Sequence, residues 1–201
     1  MTLPPGISDA ESRPTVLRQS WSQVARRIRV PLGFAFAGFY LWQARPVWYA
    51  LLAGLAIAGA GLVLRAAASG IVQKNSELAT SGPYAYTRNP LYLGSMIIGA
   101  GFAVAARSVW VFIGLLAFFL LIYFPVIKAE ERFLRSRFPE FDAYAQQVPR
   151  FGIRLNPSSN RSGQFSSKLY RQHREYNALI GAVLMMVALA VKMIWLKAGL
   201  R

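Results

Sequence analysis

Five blocks of apolar residues limit what this chain can fold into more than any other feature of its sequence. They cover residues 30–42, 47–64, 91–106, 109–127 and 178–195. A helix needs about 20 such residues to cross a bilayer, and about 17 at the least. The second, fourth and fifth blocks are therefore long enough, the third is at the limit, and the first needs residues from its flanks. The pattern predicts an all-α fold, a multi-pass transmembrane helical bundle of about five spans.

The composition agrees with a chain built for the bilayer. Hydrophobic residues make up 55% of the 201 residues and charged residues 15%, which leaves little polar surface for a soluble domain. The absence of cysteine excludes disulfide frameworks and thiolate chemistry. Because there is one histidine and only 8 acidic residues, good metal ligands are scarce, and we expect no metal site.

Lysine and arginine are concentrated in alternate segments of the chain. The six segments before, between and after the blocks carry 5, 1, 3, 1, 10 and 3 of them, the last count including Lys192 within the fifth block. Cytoplasmic loops retain positive charge. The N-terminus and residues 65–90 and 128–177 should therefore be cytoplasmic, with Arg45 and Arg107 in tight external turns. This distribution accounts for the net charge of +15 without nucleic acid, and we expect no nucleic-acid partner.

The same boundaries divide the chain into four parts. They are a basic cytoplasmic arm (1–29), a membrane core (30–152), a polar and basic cytoplasmic linker (153–177) and a C-terminal transmembrane helix (178–201). The basic run of the linker is expected to lie against anionic lipid headgroups, with its histidine, His173, solvated at the surface. Lys192 should extend its side chain out of the apolar region.

Six glycines recur in the second and third blocks. They are Gly54, Gly59, Gly61, Gly94, Gly99 and Gly101. Because they lie within apolar helices and not in a loop between a strand and a helix, they do not form a dinucleotide fingerprint. Small residues let neighbouring membrane helices approach closely, so we interpret these glycines as packing positions that also permit a homodimer.

A polar, aromatic-rich stretch precedes the third block. It reads Ser-Gly-Pro-Tyr-Ala-Tyr-Thr-Arg-Asn-Pro-Leu-Tyr-Leu-Gly over residues 81–94. Asn89 is a favoured N-cap and Pro90 a favoured first helical residue, so one interpretation is a helix start with Arg88 and the tyrosines as interface anchors. The other is a ligand site, because aromatic rings beside a positive helix end suit an anionic or nucleoside-like molecule.

A second stretch follows the fourth block and contains the adjacent carboxylates Glu130 and Glu131. In a solvated helix Glu131 would pair with Arg135 one turn later, for a few tenths of a kcal/mol. Adjacent residues on a helix point about 100° apart, so Glu130 would then face the bundle interior. A carboxylate facing the interior near a membrane boundary is a candidate functional group.

Taken together, the two stretches resemble the isoprenylcysteine carboxyl methyltransferase family and its relatives, the phospholipid N-methyltransferases. That family's pattern runs Gly-x-Tyr, Arg-His-Pro-x-Tyr-x-Gly, one membrane hairpin, Glu-Glu-x-x-Leu, Phe-Gly, Tyr and Val-Pro. The corresponding residues are Gly82-Pro83-Tyr84, Arg88-Asn89-Pro90-Leu91-Tyr92-Leu93-Gly94, Glu130-Glu131-Arg132-Phe133-Leu134, Phe138-Pro139, Tyr144 and Val148-Pro149. The resemblance covers roughly residues 70–152, and two motifs flanking one hairpin are far more specific than either alone.

The resemblance implies a membrane methyltransferase whose cytoplasmic loops form a pocket for S-adenosylmethionine, with a lipid-like acceptor entering from the bilayer. The implied cofactor-binding residues are Gln73, Leu78, Ala79, Tyr84, Asn89, Pro90, Tyr92 and Glu130. The implied catalytic residues are Arg88, Asn89 and Glu130, and the implied acceptor-binding residues are Lys128 and Tyr144. Glu130 would pair with the cofactor's ammonium, the helix start near Asn89 with its carboxylate, and tyrosines with its adenine or cation.

The function expected on this basis is methyl transfer to a carboxylate or an amine of a lipid or amphipathic small molecule. Two alternatives remain open. One is an NADPH-dependent membrane reductase like the sterol reductases, for which Arg88 and Lys74 are the nearby cations available to the extra phosphate. The other is a non-catalytic lipid-binding membrane protein with the same fold.

Overall fold

The computed structural model describes residues 13–72, 77–155 and 164–199. In these ranges the fold is all helical, as predicted, and no strand occurs. The helices are α1 (Arg13–Gln43), α2 (Trp48–Ser69), α3 (Pro90–Ala106), α4 (Val109–Phe118), α5 (Phe124–Arg137), α6 (Phe141–Gln147), α7 (Ser167–Gln172) and α8 (Tyr176–Lys197). One turn of 3-10 helix, Gly82–Ala85, precedes α3.

Within the described ranges, three helices are long and apolar enough to cross a bilayer. They are α2, the continuous helix Val109–Arg137 and α8, whereas α3, with 17 residues, is shorter. These match the second, fourth and fifth apolar blocks, and most of their large apolar side chains face outward, as contact with lipid requires. The first block forms part of the 31-residue helix α1. The protein is a helical membrane bundle, and spanning by α1 and α3 stays a prediction.

The fourth apolar block forms one continuous helix that widens midway. Between α4 and α5 lies a π turn, Phe119–Tyr123, in which the N–H of Phe124 donates to the carbonyl of Phe119 five residues back. Pro125 follows at once and has no N–H to donate to the preceding turn. Such π turns are frequent near functional sites, and the helix continues from here to the paired carboxylates.

Glycines bring α2 and α3 into direct backbone contact. A Cβ atom built on Gly101 would lie 2.5 Å from the carbonyl oxygen of Gly54, and one built on Gly61 would lie 2.6 Å from that of Gly94. No larger residue fits at that distance, because both opposing atoms belong to backbones. The predicted packing role is confirmed for these four glycines.

The other two glycines of the set lie away from this contact. A Cβ atom on Gly59 would have no neighbour within 4 Å, and one on Gly99 would make an ordinary contact with Leu115 at 3.8 Å. The four packing glycines therefore serve the contact between α2 and α3 of the same chain. They give no additional support for a homodimer, which stays a prediction.

Both turns predicted to be tight lie at one end of the bundle. The N–H of Arg45 donates to the carbonyl of Ala106 at 2.9 Å, and Arg107 ends α3 in the left-handed region with φ of 52°. At this end Lys192 donates to carbonyl oxygens of the last turn of α1, which lack partners within their own helix. The loops that precede α3 and follow α5 lie at the opposite end, and the side of the membrane that each end faces stays a prediction.

Candidate active site

The two motif-bearing stretches meet at the end of the bundle opposite these turns. The N–H of Arg88 donates to the carbonyl of Pro149 at 2.9 Å, and the hydroxyl of Tyr144 donates to the carbonyl of Tyr84 at 2.7 Å. The hydroxyl of Thr87 donates to the carbonyl of Arg150 at 3.2 Å. These bonds hold the segment before α3 against the residues in and after α6.

A cleft lies between these segments and α5. It encloses about 860 Å³ of space, part of it open to solvent. Aromatic, apolar and charged side chains share its wall. The lining residues are Val72, Glu77, Leu78, Ala79, Tyr84, Arg88, Asn89, Pro90, Leu91, Tyr92, Glu130, Glu131, Phe133, Leu134, Phe141 and Tyr144.

Most of the predicted site residues line this cleft. They are Leu78, Ala79, Tyr84, Arg88, Asn89, Pro90, Tyr92, Glu130 and Tyr144. Gln73 and Lys74 lie outside the described residues. Lys128 is exposed on α5, where its ammonium lies 4.4 Å from the centre of the Phe124 ring and not in the cleft wall. The structure thus gathers the residues, and their roles stay predictions.

Glu131 is the buried carboxylate of the pair, with only 7% of its surface exposed. It accepts hydrogen bonds from Arg150 Nη2 at 2.6 Å, Arg150 Nε at 2.9 Å and the Asn89 amide at 3.1 Å. The predicted pairing with Arg135 is wrong, because Arg135 binds Asp142 at the surface at 2.7 Å. A pair one turn apart on an exposed helix contributes little, whereas two charged hydrogen bonds from Arg150 offset the burial of the carboxylate.

Glu130 lies at the rim of the cleft and is exposed. Its carboxylate accepts a hydrogen bond from the Tyr92 hydroxyl at 2.9 Å. The prediction that Glu130 faces the bundle interior while its neighbour faces water is therefore wrong. In the described part of the chain no ion pair involves Glu130, so its carboxylate is available to a cationic ligand.

Asn89 occupies the predicted position before α3, and Pro90 is the first helical residue. The Asn89 side chain does not cap the helix, however, and donates to Glu131 and to the carbonyl of Arg150 at 3.3 Å. A buried carboxylate is a stronger acceptor than water, and it draws the amide away from the helix start.

Arg88 extends beneath the cleft with 15% of its side chain exposed. Its Nη1 lies 3.9 Å from Glu131, and its Nε is buried without a hydrogen-bond partner among the described residues. A buried N–H without an acceptor costs about 1–3 kcal/mol. Arg88 is also the one cationic side chain among the described residues that line the cleft, so it is suited to an anionic group of a ligand.

Two tyrosines of the cleft wall are kept neutral. Burial raises the pKa of Tyr84 well above its usual value, and the negative charge of Glu130 raises it further. Burial likewise raises the pKa of Tyr144. Burial thus favours the neutral form of both phenols still further. Both residues line the cleft, and the Tyr144 hydroxyl donates to the Tyr84 carbonyl.

Two features of the site were not predicted from the sequence. One is the partner of Glu131, Arg150, which follows the Val-Pro pair without any local sign of its role. The other is an ion pair between Arg65 and Glu175, with an oxygen to nitrogen distance of 2.7 Å. The sequence does contain one indication of this pair, namely Arg65 near the end of an apolar helix, where an arginine needs a partner.

Comparison with known proteins finds a family similarity in the central part of the chain. Residues 66–140 match the phospholipid methyltransferase family. The matched segment is less than half of the chain and contains the first motif, the hairpin and the paired carboxylates, and it confirms the resemblance that the motifs indicate. It ends before Tyr144 and Arg150, so the cleft also takes residues from beyond it.

Two curated relatives share the similarity. The cobalt-zinc-cadmium resistance protein CzcN of Cupriavidus metallidurans is 43% identical over 84 residues, which are 42% of this chain and 39% of that protein. The nickel-cobalt-cadmium resistance protein NccN of Alcaligenes xylosoxydans xylosoxydans is 38% identical over 84 residues, again 42% of this chain and 39% of that protein. The chain thus matches about two fifths of the length of these relatives. No solved structure matches it.

Proposed function

We propose that this protein transfers a methyl group from S-adenosylmethionine to a lipid or an amphipathic small molecule at the membrane surface. The observation that carries the proposal is the carboxylate of Glu130 at the rim of an aromatic cleft, which accepts a hydrogen bond from Tyr92 but forms no ion pair among the described residues. The cleft lies within and beside the segment that matches the phospholipid methyltransferases. Three carboxylates (Glu77, Glu130 and Glu131), neutral tyrosines and one cation among the described lining residues suit a ligand that carries both charges.

The residues of the cleft fit the groups of this cofactor. Glu130 would hold the ammonium and Arg88, whose Nε lacks an acceptor among the described residues, would hold the carboxylate together with the start of α3 after Asn89. Tyr84 and Tyr92 would contact the adenine or the cationic sulfur with their rings. When bound, S-adenosylmethionine supplies an activated methyl group that an acceptor lone pair can take up directly.

The chain's own contribution to such a reaction is orientation and the exclusion of water. A cluster of hydrogen bonds holds the start of α3 against α5. It consists of Glu131, Arg150 and Asn89. The rings of Phe141 and Tyr144 close the cleft from the side of α6. Fixed placement of donor and acceptor accounts for much of the rate of a direct displacement.

An apolar cavity supports the proposal of a lipid-like acceptor. It lies among α1, α3 and α4 and is open to the outside of the bundle. Its volume is about 960 Å³, which includes part of that open space. Tyr123 of this cavity contacts Tyr92 of the cleft edge to face, with ring centres 5.8 Å apart. An acceptor whose chain occupies the cavity would have its polar end next to this tyrosine pair, near Glu130.

The proposal includes a multi-pass topology with the N-terminus and the cleft on the cytoplasmic side. The described loops that precede α3 and follow α6, with Arg88, Arg150 and Arg154, lie at the cleft end, whereas Arg45 and Arg107 lie in the turns at the other end. Positive charge is retained in the cytoplasm, and the cytoplasm is where S-adenosylmethionine would be supplied.

Replacement of Glu130 tests the cofactor site. We expect Glu130→Gln to weaken binding of S-adenosylhomocysteine, measured by calorimetry on the detergent-purified protein, by about 2 kcal/mol or roughly 30-fold, the size of a charged hydrogen bond. Glu140→Gln, which changes another exposed carboxylate, is the matched control and should bind as the parent does. Equal affinities of the two variants would contradict the assignment.

NADPH titrated in parallel separates the reductase alternative. Its extra phosphate needs several cationic contacts, whereas Arg88 is the cation that the described part of the cleft offers. Binding of NADPH without S-adenosylhomocysteine would replace the proposed function, and binding of neither would favour the non-catalytic alternative.

A contribution to metal tolerance is a second candidate, favoured by the names of the two relatives. We expect a strain that lacks the protein to grow less well in cobalt, zinc or cadmium, and the intact gene to restore growth. If the role depends on methyl transfer, Glu130→Gln should fail to restore growth although the protein is present at the same level. Full restoration by this variant would separate tolerance from the cleft.

A further inference from the structure

The guanidinium of Arg65 joins three helices at the cleft end of the bundle. From α2 it donates to Glu175, at the start of α8, with Nε and Nη2 at 3.0 and 2.7 Å. Its Nη1 donates to the carbonyl of Leu91, at 3.1 Å, and to the hydroxyl of Ser95. These two acceptors lie in the first turns of α3, so one side chain connects α8 to the start of α3.

The segment before α8 is attached to α2 at the same place. The N–H of Ser166 donates to the carbonyl of Gly70 at 2.8 Å, and His173 Nδ1 lies 3.0 Å from the carbonyl oxygen of Ser69. The ring of Phe165 covers Gly70 so closely that a Cβ atom there would lie 2.2 Å from it. The prediction of a solvated His173 is therefore wrong, because the backbone carbonyls that end α2 need donors and residues 164–175 supply them.

Both ends of this attachment adjoin the cleft. Val72, two residues after Gly70, is part of the cleft wall, and so are Leu91 and Tyr92 in the first turn of α3. The pair of Arg65 and Glu175 is itself mostly covered, with 21% and 13% of the side chains exposed. A displacement of Arg65 would therefore shift the first turn of α3, and with it the hydrogen bond between Tyr92 and Glu130.

We propose that Glu175 and Arg65 are positioning residues for the cofactor cleft, through which the C-terminal segment 164–199 holds the start of α3 in place. The inference rests on the proposed function and extends it to residues beyond the segment that matches the phospholipid methyltransferases. Glu175 orients the guanidinium with two charged hydrogen bonds, and the guanidinium holds Leu91 and Ser95. Neither residue lies in the cleft wall among the described residues, so both act through α3.

A double-mutant cycle distinguishes this role from general stabilisation. Glu175→Ala removes the residue that orients Arg65, and Ser95→Ala removes a hydroxyl that Arg65 holds. If both act through the guanidinium, each should weaken S-adenosylhomocysteine binding by about five- to tenfold, and the double variant should be no weaker than the more affected single one. Asp142→Ala, which breaks the exposed pair with Arg135, is the matched control and should leave affinity unchanged.

The cycle has two outcomes that would overturn the proposal. Losses of affinity that multiply in the double variant would show that Glu175 and Ser95 act separately. A lower thermal unfolding temperature of Glu175→Ala with unchanged affinity would show a structural contact that does not reach the cleft. Glu175→Gln, which keeps an acceptor oxygen, should lose less affinity than Glu175→Ala.

A second measurement separates failure of this proposal from failure of the proposed function. The chain has no cysteine, so spin labels attach only at introduced sites. Suitable sites are the exposed Thr80→Cys, next to the lining residue Ala79, and the exposed Arg137→Cys, at the end of α5, which supplies other lining residues. We expect the distance distribution between the labels to broaden in Glu175→Ala and to stay narrow in Asp142→Ala. Broadening without any binding by the parent would retain the positioning role and reject the cofactor, whereas an unchanged distribution would reject the positioning role.

Discussion

Glu131→Ala is expected to lower the free energy of unfolding by about 3 kcal/mol, because it removes one partner of a buried ion pair. Arg150 would lose its charged hydrogen bonds from Nε and Nη2, the Asn89 amide would lose its side-chain acceptor, and Arg88 would lose the nearby negative charge. All three groups join the segment before α3 to the residues after α6. The measurement is thermal or denaturant unfolding of the purified protein in detergent.

The matched control for this prediction is Asp142→Ala. Asp142 also pairs with an arginine, but both side chains are more than half exposed, so the loss should stay within about 0.5 kcal/mol. We also expect Glu131→Ala to abolish S-adenosylhomocysteine binding, since Asn89 and Arg88 line the cleft. Stability of Glu131→Ala equal to that of Asp142→Ala would refute the burial of this carboxylate.

Gly101→Val is the second change with a large expected effect, again about 3 kcal/mol of unfolding free energy, at the upper end for an overpacked contact. A Cβ atom at this position would lie 2.5 Å from the carbonyl oxygen of Gly54 and 2.7 Å from the amide nitrogen of Ala58. Since both atoms are backbone, α2 and α3 would have to separate. The check is the unfolding temperature and the folded fraction in detergent.

Gly59→Val is the control for this prediction, because no atom lies within 4 Å of a Cβ there. Valine forms helices somewhat better than glycine, so we expect a change of less than about 1 kcal/mol in either direction. A variant of Gly59 as unstable as Gly101→Val would show that the loss comes from the side chain itself and not from the contact between helices.

Most of the residues around the cleft were predicted from the resemblance of two motifs to a family, whereas the local sequence marks the helix boundary beside them. Pro90 can begin a helix but not continue one, and Asn89 before it marks the same boundary. The side-chain partners of Asn89 could not be predicted in this way. Its amide turns from the helix start to Glu131, 42 residues away along the chain.

The face of α5 is the clearest case of a choice that the sequence left open. Glu130 and Glu131 are neighbours with the same charge, and the local pattern offers Glu131 an arginine four residues later. Burial of Glu131 becomes favourable only because Arg150, 19 residues further on, reaches it after α6 turns back. Glu130 is thereby left at the rim of the cleft.

The resemblance of two motifs to a known family supplied most of the residues that surround the cleft. The amino-acid sequence alone was enough to predict the helical membrane fold, the positions of the apolar helices and the close approach at four of the glycines. These follow from runs of apolar residues, from small side chains and from helix boundaries, all of which act over a few residues. Only the tertiary structure decided which carboxylate is buried and that Arg65 binds Glu175, 110 residues away. The free energy of a buried charge depends on the partner that folding brings to it, and no local pattern names that partner.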